Sequence, residues 1–194
     1  MSIKSVCVYC ASSSKIDKIY FDVAGELGAF LAQNNLTCIC GAGKHGLMNE
    51  LSNAVLNAGG KVTGIIPRFM YEEGWCHKNL TEVSVTETIH ERKKQMAEKA
   101  DAVIALPGGC GTMEELLEII TWKQLGLFSG PIVILNINNY YTPLLEMLQK
   151  SVDESFMRKE HSDMWFVANT AEEAVEKILY AEKWIENPRR LAVV

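Results

Sequence analysis

Apolar and polar positions alternate in blocks along the chain. Short, near-continuous apolar runs recur between longer stretches with helical spacing. Ile3–Cys10 is the first apolar, β-rich run. Asp17–Asn34 places Ile19, Val23, Leu27, Phe30 and Leu31 on one stripe, the spacing of an amphipathic helix. Leu36–Cys40 reads as a second buried strand. His45–Asn57 reads as a helix stopped by Gly59-Gly60, and Lys61–Ile66 as a third strand ended by Pro67. Arg68–Thr81 is the longest irregular stretch, and loops of that length in compact domains often carry function. Beyond it the pattern predicts a strand at Glu82–Thr86, a helix at Glu87–Ala100 and a buried strand at Asp101–Leu106. A glycine turn at Pro107–Gly111 then opens a helix at Thr112–Gly126. Pro131–Leu135 and Trp165–Val167 read as the last strands. Tyr140–Phe156 and Thr170–Ile185 read as the last helices, with Thr170 as an N-cap.

Apolar strands separated by helices predict a mostly parallel sheet covered on both faces. The expected fold is α/β, doubly wound and Rossmann-like. It forms a single nucleotide-binding domain over residues 1–194, with a short tail from about residue 187. Ligands of such sheets bind beyond the carboxyl ends of the strands. Three predicted strands end there in small, donor-rich loops: Ala11-Ser12-Ser13-Ser14, Gly41-Ala42-Gly43-Lys44-His45-Gly46 and Pro107-Gly108-Gly109-Cys110-Gly111-Thr112.

Composition narrows the partners. The 194 residues suffice for one substantial domain, with hydrophobic residues at 48% and charged residues at 22%. Formal net charge is −5 and no Lys/Arg run is long enough to attract a polyanion, so nucleic acid and membrane surfaces are not expected partners. No segment reads as a signal peptide or a membrane span, and a cytoplasmic location is expected. The six cysteines then read as free, mostly buried thiols. Alternation along the first strand points Cys7 and Cys10 to opposite faces, and the spacing of Cys38 and Cys40 suits tetrahedral zinc poorly. No metal and no cofactor is expected.

The second loop fits G-x-G-x-x-G, but the next strand ends Ile65-Ile66-Pro67-Arg68, without the carboxylate that would hold a ribose diol. Arg68 could meet a 2′-phosphate, which keeps an NADP-dependent oxidoreductase as an alternative. The third loop carries more. Its glycines let backbone N–H groups converge on a small anion, the helix start adds unpaired donors and a positive dipole end, and Thr112 adds a hydroxyl. Thr112-Met113-Glu114-Glu115 also has the spacing of a capping box, with Thr112 as N-cap and Glu115 reaching back. Against that, Glu114 and Glu118 crowd the same helix start. A carboxylate one turn along lies ~5.4 Å from the phosphate donors, where it would face the anomeric carbon of a nucleotide. In the preceding helix Arg92 and Lys93 interrupt the stripe of Ile89, Met96, Ala97 and Ala100. They read equally as snorkelling cations and as a cationic wall over an anion.

Pro107-Gly108-Gly109-Cys110-Gly111-Thr112-Met113-Glu114-Glu115 resembles the P-G-G-x-G-T-x-x-E signature of the LOG (Lonely Guy) family, cytokinin riboside 5′-monophosphate phosphoribohydrolases. Gly41–Met48 resembles that family's G-G-G-x-x-G-L-M turn, with Ala42 for the middle glycine. Ile89-His90-Glu91-Arg92-Lys93 resembles its M-H-x-R-K segment, with Ile89 for the methionine, and Ser12-Ser13 its first serine turn. The likeness runs in order from about Val6 to Tyr180. It implies a Rossmann-like homodimer with active sites near the subunit interface, acting on a small nucleoside 5′-monophosphate. It implies Arg92 and Glu115 as the catalytic pair. Substrate would be held by Ser13, Lys93, Gly108, Gly109, Cys110, Gly111, Thr112, Met113, Glu114 and Thr121, with further contacts from Gly43, Gly46 and Met48. Where the family has a substrate-contacting glutamate in the irregular loop, Gly74 falls here, with Glu73 beside it as the candidate. Phe69, Met70, Tyr71 and Trp75 of the same loop would shape a pocket for an apolar tail on the base. The label lysine decarboxylase, often given to family members, implies pyridoxal chemistry that no pattern here supports.

The expected reaction is hydrolysis of the N-glycosidic bond of (N6-modified) adenosine 5′-monophosphates to free base and ribose 5-phosphate. A non-catalytic nucleotide-binding or sensing domain is the alternative from another class. It predicts AMP binding without turnover.

Overall fold

The computed structural model describes residues 2–182, 184, 185 and 188–191. Seven strands form one sheet in which every neighbouring pair is parallel. They are β1 (Ser5–Tyr9), β2 (Thr37–Cys40), β3 (Val62–Pro67), β4 (Glu82–Thr86), β5 (Ala102–Ala105), β6 (Ile132–Leu135) and β7 (Phe166–Ala168). Their order is β4-β3-β2-β1-β5-β6-β7. The chain winds outward from β1 to β4, then returns to lay β5 on the other side of β1. That reversal opens a crevice between the carboxyl ends of β1 and β5. The register Val6↔Ala102 to Tyr9↔Ala105 keeps those ends level, so the serine turn and the glycine turn leave the sheet side by side. The Ala11 N–H donates to the Pro107 carbonyl at 3.2 Å.

Parallel strands need crossovers, and helices supply them on both faces. Helices α1 (Lys18–Gln33), α2 (Gly46–Asn57) and α7 (Ala171–Leu179) pack with Val6, Val8, Cys10, Cys38 and Cys40. On the other face α4 (Ile89–Glu98), α5 (Cys110–Gln124) and α6 (Thr142–Asp153) pack with Cys7, Tyr9, Ile39 and Val103. Leu27, Leu31, Leu47 and Leu51 lose all contact with water between α1 and α2. Each contributes roughly 1.5–3 kcal/mol by burial. Cys7 thus lies in one core layer and Cys10, Cys38 and Cys40 in the other, as strand alternation requires.

Several element ends differ from the periodicity. The irregular stretch contains a short helix, α3 (Arg68–Glu72). Helix α6 is shorter than Tyr140–Phe156, bounded by Asn138, Asn139 and Ser155 in left-handed backbone. Helix α7 ends at Leu179, not Ile185, although Thr170 caps it as expected, accepting from the Glu173 N–H. The tail expected from about residue 187 begins outside the described residues. No helix among the described residues is long and apolar enough to cross a membrane.

Candidate active site

Helix α5 starts at Cys110, two residues before Thr112, with Gly109 as N-cap and no side chain capping it. The Thr112–Glu115 capping box is therefore absent. Thr112 is the third helical residue, and its side chain covers Gly108, where any Cβ would overlap it. Glu115 points instead at Arg92. The reciprocal capping box belongs to α4, between Thr88 and Glu91.

An uncapped start has a consequence. No acceptor among the described residues meets the N–H groups of Gly109, Cys110, Gly111 or Thr112. The first to be met is that of Met113, which donates to the Gly109 carbonyl at 3.0 Å. Four consecutive donors at the positive end of a 15-residue helix are thus left for a ligand. The carbonyls behind them are all engaged. Tyr141 donates to the Leu106 carbonyl (2.8 Å), the Ala11 N–H to Pro107, and Tyr140 to Gly108 (2.7 Å).

Helix α4 brings the cations. Arg92 Nε donates to the Ile65 carbonyl at the end of β3 and Nη1 to Glu115 Oε1, each at 3.1 Å. The two side chains are only 14% and 11% exposed, so the pair is screened little by water. Arg92 Nη2 lies so close to Gly41 that a Cβ there would overlap it. The first glycine of the second loop is thus the seat of the arginine. Burial raises the Glu115 carboxyl above its ordinary value, and the Arg92 charge opposes that rise. Lys93 is buried, with its ammonium on Glu114 and, at 3.2 Å, on Glu118.

Of the residues predicted from sequence, Ser13, Met48, Arg92, Lys93, Gly109, Cys110, Gly111, Thr112, Glu114 and Glu115 line one cavity of about 490 Å³. Gly108 is not among its lining residues and is covered by the Thr112 side chain. Met113 packs into the core with Leu116 and Ile119. Thr121 is on the outer side of α5, its hydroxyl donating to the Leu117 carbonyl. Glu73, at the end of α3, is exposed and lines neither this cavity nor the one beside Gly43. Gly43 lines an adjoining cavity of about 380 Å³, with Met48, Ile66, Met70, Trp75 and Arg92. Gly46, in left-handed backbone, presses against the Ser12 and Ser13 backbone and joins the first two loops. Phe69 and Tyr71 are exposed, and Phe69 packs edge-on against Trp75. Arg68, the residue on which an NADP site would depend, is paired at the surface with Glu87.

Sequence reasoning missed Tyr9, Gly41, Ile89 and Met96 in the walls, and the tyrosines behind the glycine turn. Gly41 carries a signal, as the first glycine of the G-x-G-x-x-G loop. Tyr140 carried none, because its contact with Gly108 spans 32 residues of sequence. A larger cavity of about 840 Å³ opens at the amino end of β7, between Lys123, Trp165 and Trp184. It lies away from the Arg92–Glu115 pair.

A doubly wound parallel sheet with an open-donor helix start and a buried arginine–glutamate pair at its switch point defines a Rossmann-like α/β protein. A family profile described as "possible lysine decarboxylase" matches residues 48–178. The chain is 43% identical over 175 residues to the probable cytokinin riboside 5′-monophosphate phosphoribohydrolase LOGL2 of Oryza sativa subsp. japonica, covering 90% of this chain and 72% of that protein. It is 42% identical to cytokinin riboside 5′-monophosphate phosphoribohydrolase LOG5 of Arabidopsis thaliana, covering 90% and 77%. Among solved structures, the X-ray structure of TM1055, a structural-genomics target, is 27% identical with a TM-score of 0.71, covering 91% and 98%. The molybdenum cofactor carrier protein of Chlamydomonas reinhardtii shares the fold, at 21% identity and a TM-score of 0.70, covering 93% and 99%. The chain belongs to the possible-lysine-decarboxylase family, and within it to the LOG phosphoribohydrolases.

Proposed function

We propose that the protein hydrolyses the N-glycosidic bond of adenosine 5′-monophosphates, including N6-modified ones, to free base and ribose 5-phosphate. The observation that carries this reading is the juxtaposition of four unpaired N–H donors with the buried Arg92–Glu115 pair in one cavity. The donors suit a 5′-phosphate, with Lys93, Ser13 and Thr112 lining the same cavity. Breaking the C1′–N9 bond leaves its electron pair on the base and positive charge on C1′ and O4′. Glu115 stabilises that charge and takes a proton from the water whose oxygen bonds C1′, while the departing base takes up a proton from solvent and Glu115 returns its own to solvent. Arg92 holds Glu115 in place and ionised. The adjoining cavity, walled by Met48, Ile66, Met70 and Trp75, suits the base and an apolar N6 tail.

Two finer points belong to the same reading. Leu117, Thr121 and Leu125 form an exposed stripe at i, i+4 and i+8 along α5. That stripe supports a homodimer in which Thr121 approaches the partner's site. Six free cysteines, four of them buried, support a reducing, cytoplasmic location.

The test is to incubate the protein with AMP, N6-isopentenyl-AMP and adenosine, and to follow free base by chromatography. Base release from both nucleotides and very little from adenosine is expected, because charge-assisted bonds to phosphate are lost with the nucleoside. Equal turnover of adenosine and AMP, or AMP binding without base release, sinks the reading.

A further inference from the structure

The glycine turn is braced from behind by two adjacent tyrosines whose bonds look alike but differ in consequence. Tyr140 donates to the Gly108 carbonyl at 2.7 Å and Tyr141 to the Leu106 carbonyl at 2.8 Å. Both peptides are trans, since the described chain holds no cis bond. In a planar trans peptide the carbonyl and the N–H on the same unit point in opposite directions. Fixing the Gly108 carbonyl therefore fixes the Gly109 N–H, the first of the four unpaired donors. Fixing the Leu106 carbonyl aims nothing, because the other half of that peptide is Pro107, which has no N–H. Neither tyrosine lines the cavity. The Tyr140 ring is held edge-on between Tyr20 and Tyr141, with centroids at 6.1 and 5.1 Å. Its placement thus does not depend on the hydroxyl. The flanking glycines give the Gly108–Gly109 peptide the freedom to rotate that a bond to its carbonyl removes.

We infer that Tyr140 is a positioning residue for phosphate recognition. Its hydroxyl orients the Gly108–Gly109 peptide so that the Gly109 N–H faces the 5′-phosphate, while Tyr141 only stabilises the fold. This inference rests on the assignment of the open donors to phosphate.

The experiment compares the full chain with Tyr140→Phe and Tyr141→Phe. It measures Tm, steady-state kinetics on AMP and adenosine, and inorganic phosphate affinity by calorimetry. Tyr140→Phe is expected to raise KM for AMP and Kd for phosphate roughly threefold to tenfold, the range of one neutral hydrogen bond. Its kcat should hold, because a phosphate contact is made equally in ground and transition states. Its Tm should stay near the parent, with no change toward adenosine. Tyr141→Phe should lower Tm, because it strands a buried carbonyl, and leave KM unchanged. Parental KM and phosphate affinity in a folded Tyr140→Phe overturn the inference. So does an equal loss in both variants, or a loss that extends to adenosine. If the parent itself shows no preference for AMP over adenosine, the phosphate assignment falls first and takes this inference with it.

Discussion

Glu115 lies 3.1 Å from Arg92 with little solvent on either side chain, so its replacement by glutamine isolates the role of its charge. Glu115→Gln keeps the shape and can still accept from Arg92. No cap is lost, because Thr112 is not the N-cap. The expected result is a Tm near the parent, retained AMP affinity and a kcat lower by about a hundredfold or more, the scale of one well-placed electrostatic group. Normal turnover in this variant defeats the mechanism. Because burial raises the carboxyl above 4.5, its ionised form is lost at higher pH than for an ordinary glutamate. The acid limb of kcat/KM should therefore lie above that value and vanish in the glutamine variant, as a pH–rate profile would record. Gly41 acts on the same pair. A methyl there overlaps Arg92 Nη2, so Gly41→Ala must displace the guanidinium from Ile65 and Glu115. A kcat lower by roughly tenfold to a hundredfold is expected, the cost of an ångström of misplacement. Melting should change little. A parental kcat for Gly41→Ala means that the seat of the arginine does not matter.

Helix α5 shows how an element can be legible while its function hangs on its first turn. Thr112–Gly126 was readable as a helix from spacing, and the glycines before it as a turn. The two-residue shift of the start to Cys110 was not readable, because both beginnings satisfy local propensity. The shift decides which N–H groups stay open and frees Glu115 from capping. A Cβ at Gly111 would meet nothing within 4 Å, so the fold itself leaves open the space that the proposed phosphate would enter. Gly111→Val should therefore abolish measurable AMP binding by calorimetry while Tm stays near the parent, since valine is no worse a helix former than the glycine it replaces and its Cβ meets nothing in the fold. Unchanged AMP affinity in the folded variant would place the anion elsewhere. In α4 the periodicity left Arg92 and Lys93 equally readable as snorkelling cations. The carboxylates that answer them, Glu115, Glu114 and Glu118, come from α5 across the crevice.

At the scale of the whole molecule, the cavity is assembled from loops after β1, β2 and β5 and from helices α4 and α5. A ligand spanning these parts is absent from the unfolded chain and must stabilise the native one. At a hundredfold excess over Kd the gain is about 2.7 kcal/mol, which for a chain of this size raises Tm by roughly 5–10 °C. Differential scanning fluorimetry on Glu115→Gln, which spares AMP from turnover, should show that rise with AMP and not with adenosine. An equal shift with both ligands would remove phosphate from the assembly of the site.

Local physics reaches far in this chain. Continuous apolar runs can only be strands buried on both faces, amphipathic stretches between them must cover those faces, and parallel strands demand such crossovers. The parallel sheet and the three donor-rich loops follow from sequence for that reason. Arg92 and Glu115 are open on spacing alone; the family motifs around them single them out, and the fold pairs them. Contacts between distant segments do not follow. The reversal that sets β5 beside β1, the 23-residue span from Arg92 to Glu115, the arginine's bond to Ile65 and the tyrosine behind Gly108 each depend on strand order and register. Periodicity says which way a side chain faces within its own element. Which element stands opposite is set by the packing of the whole sheet.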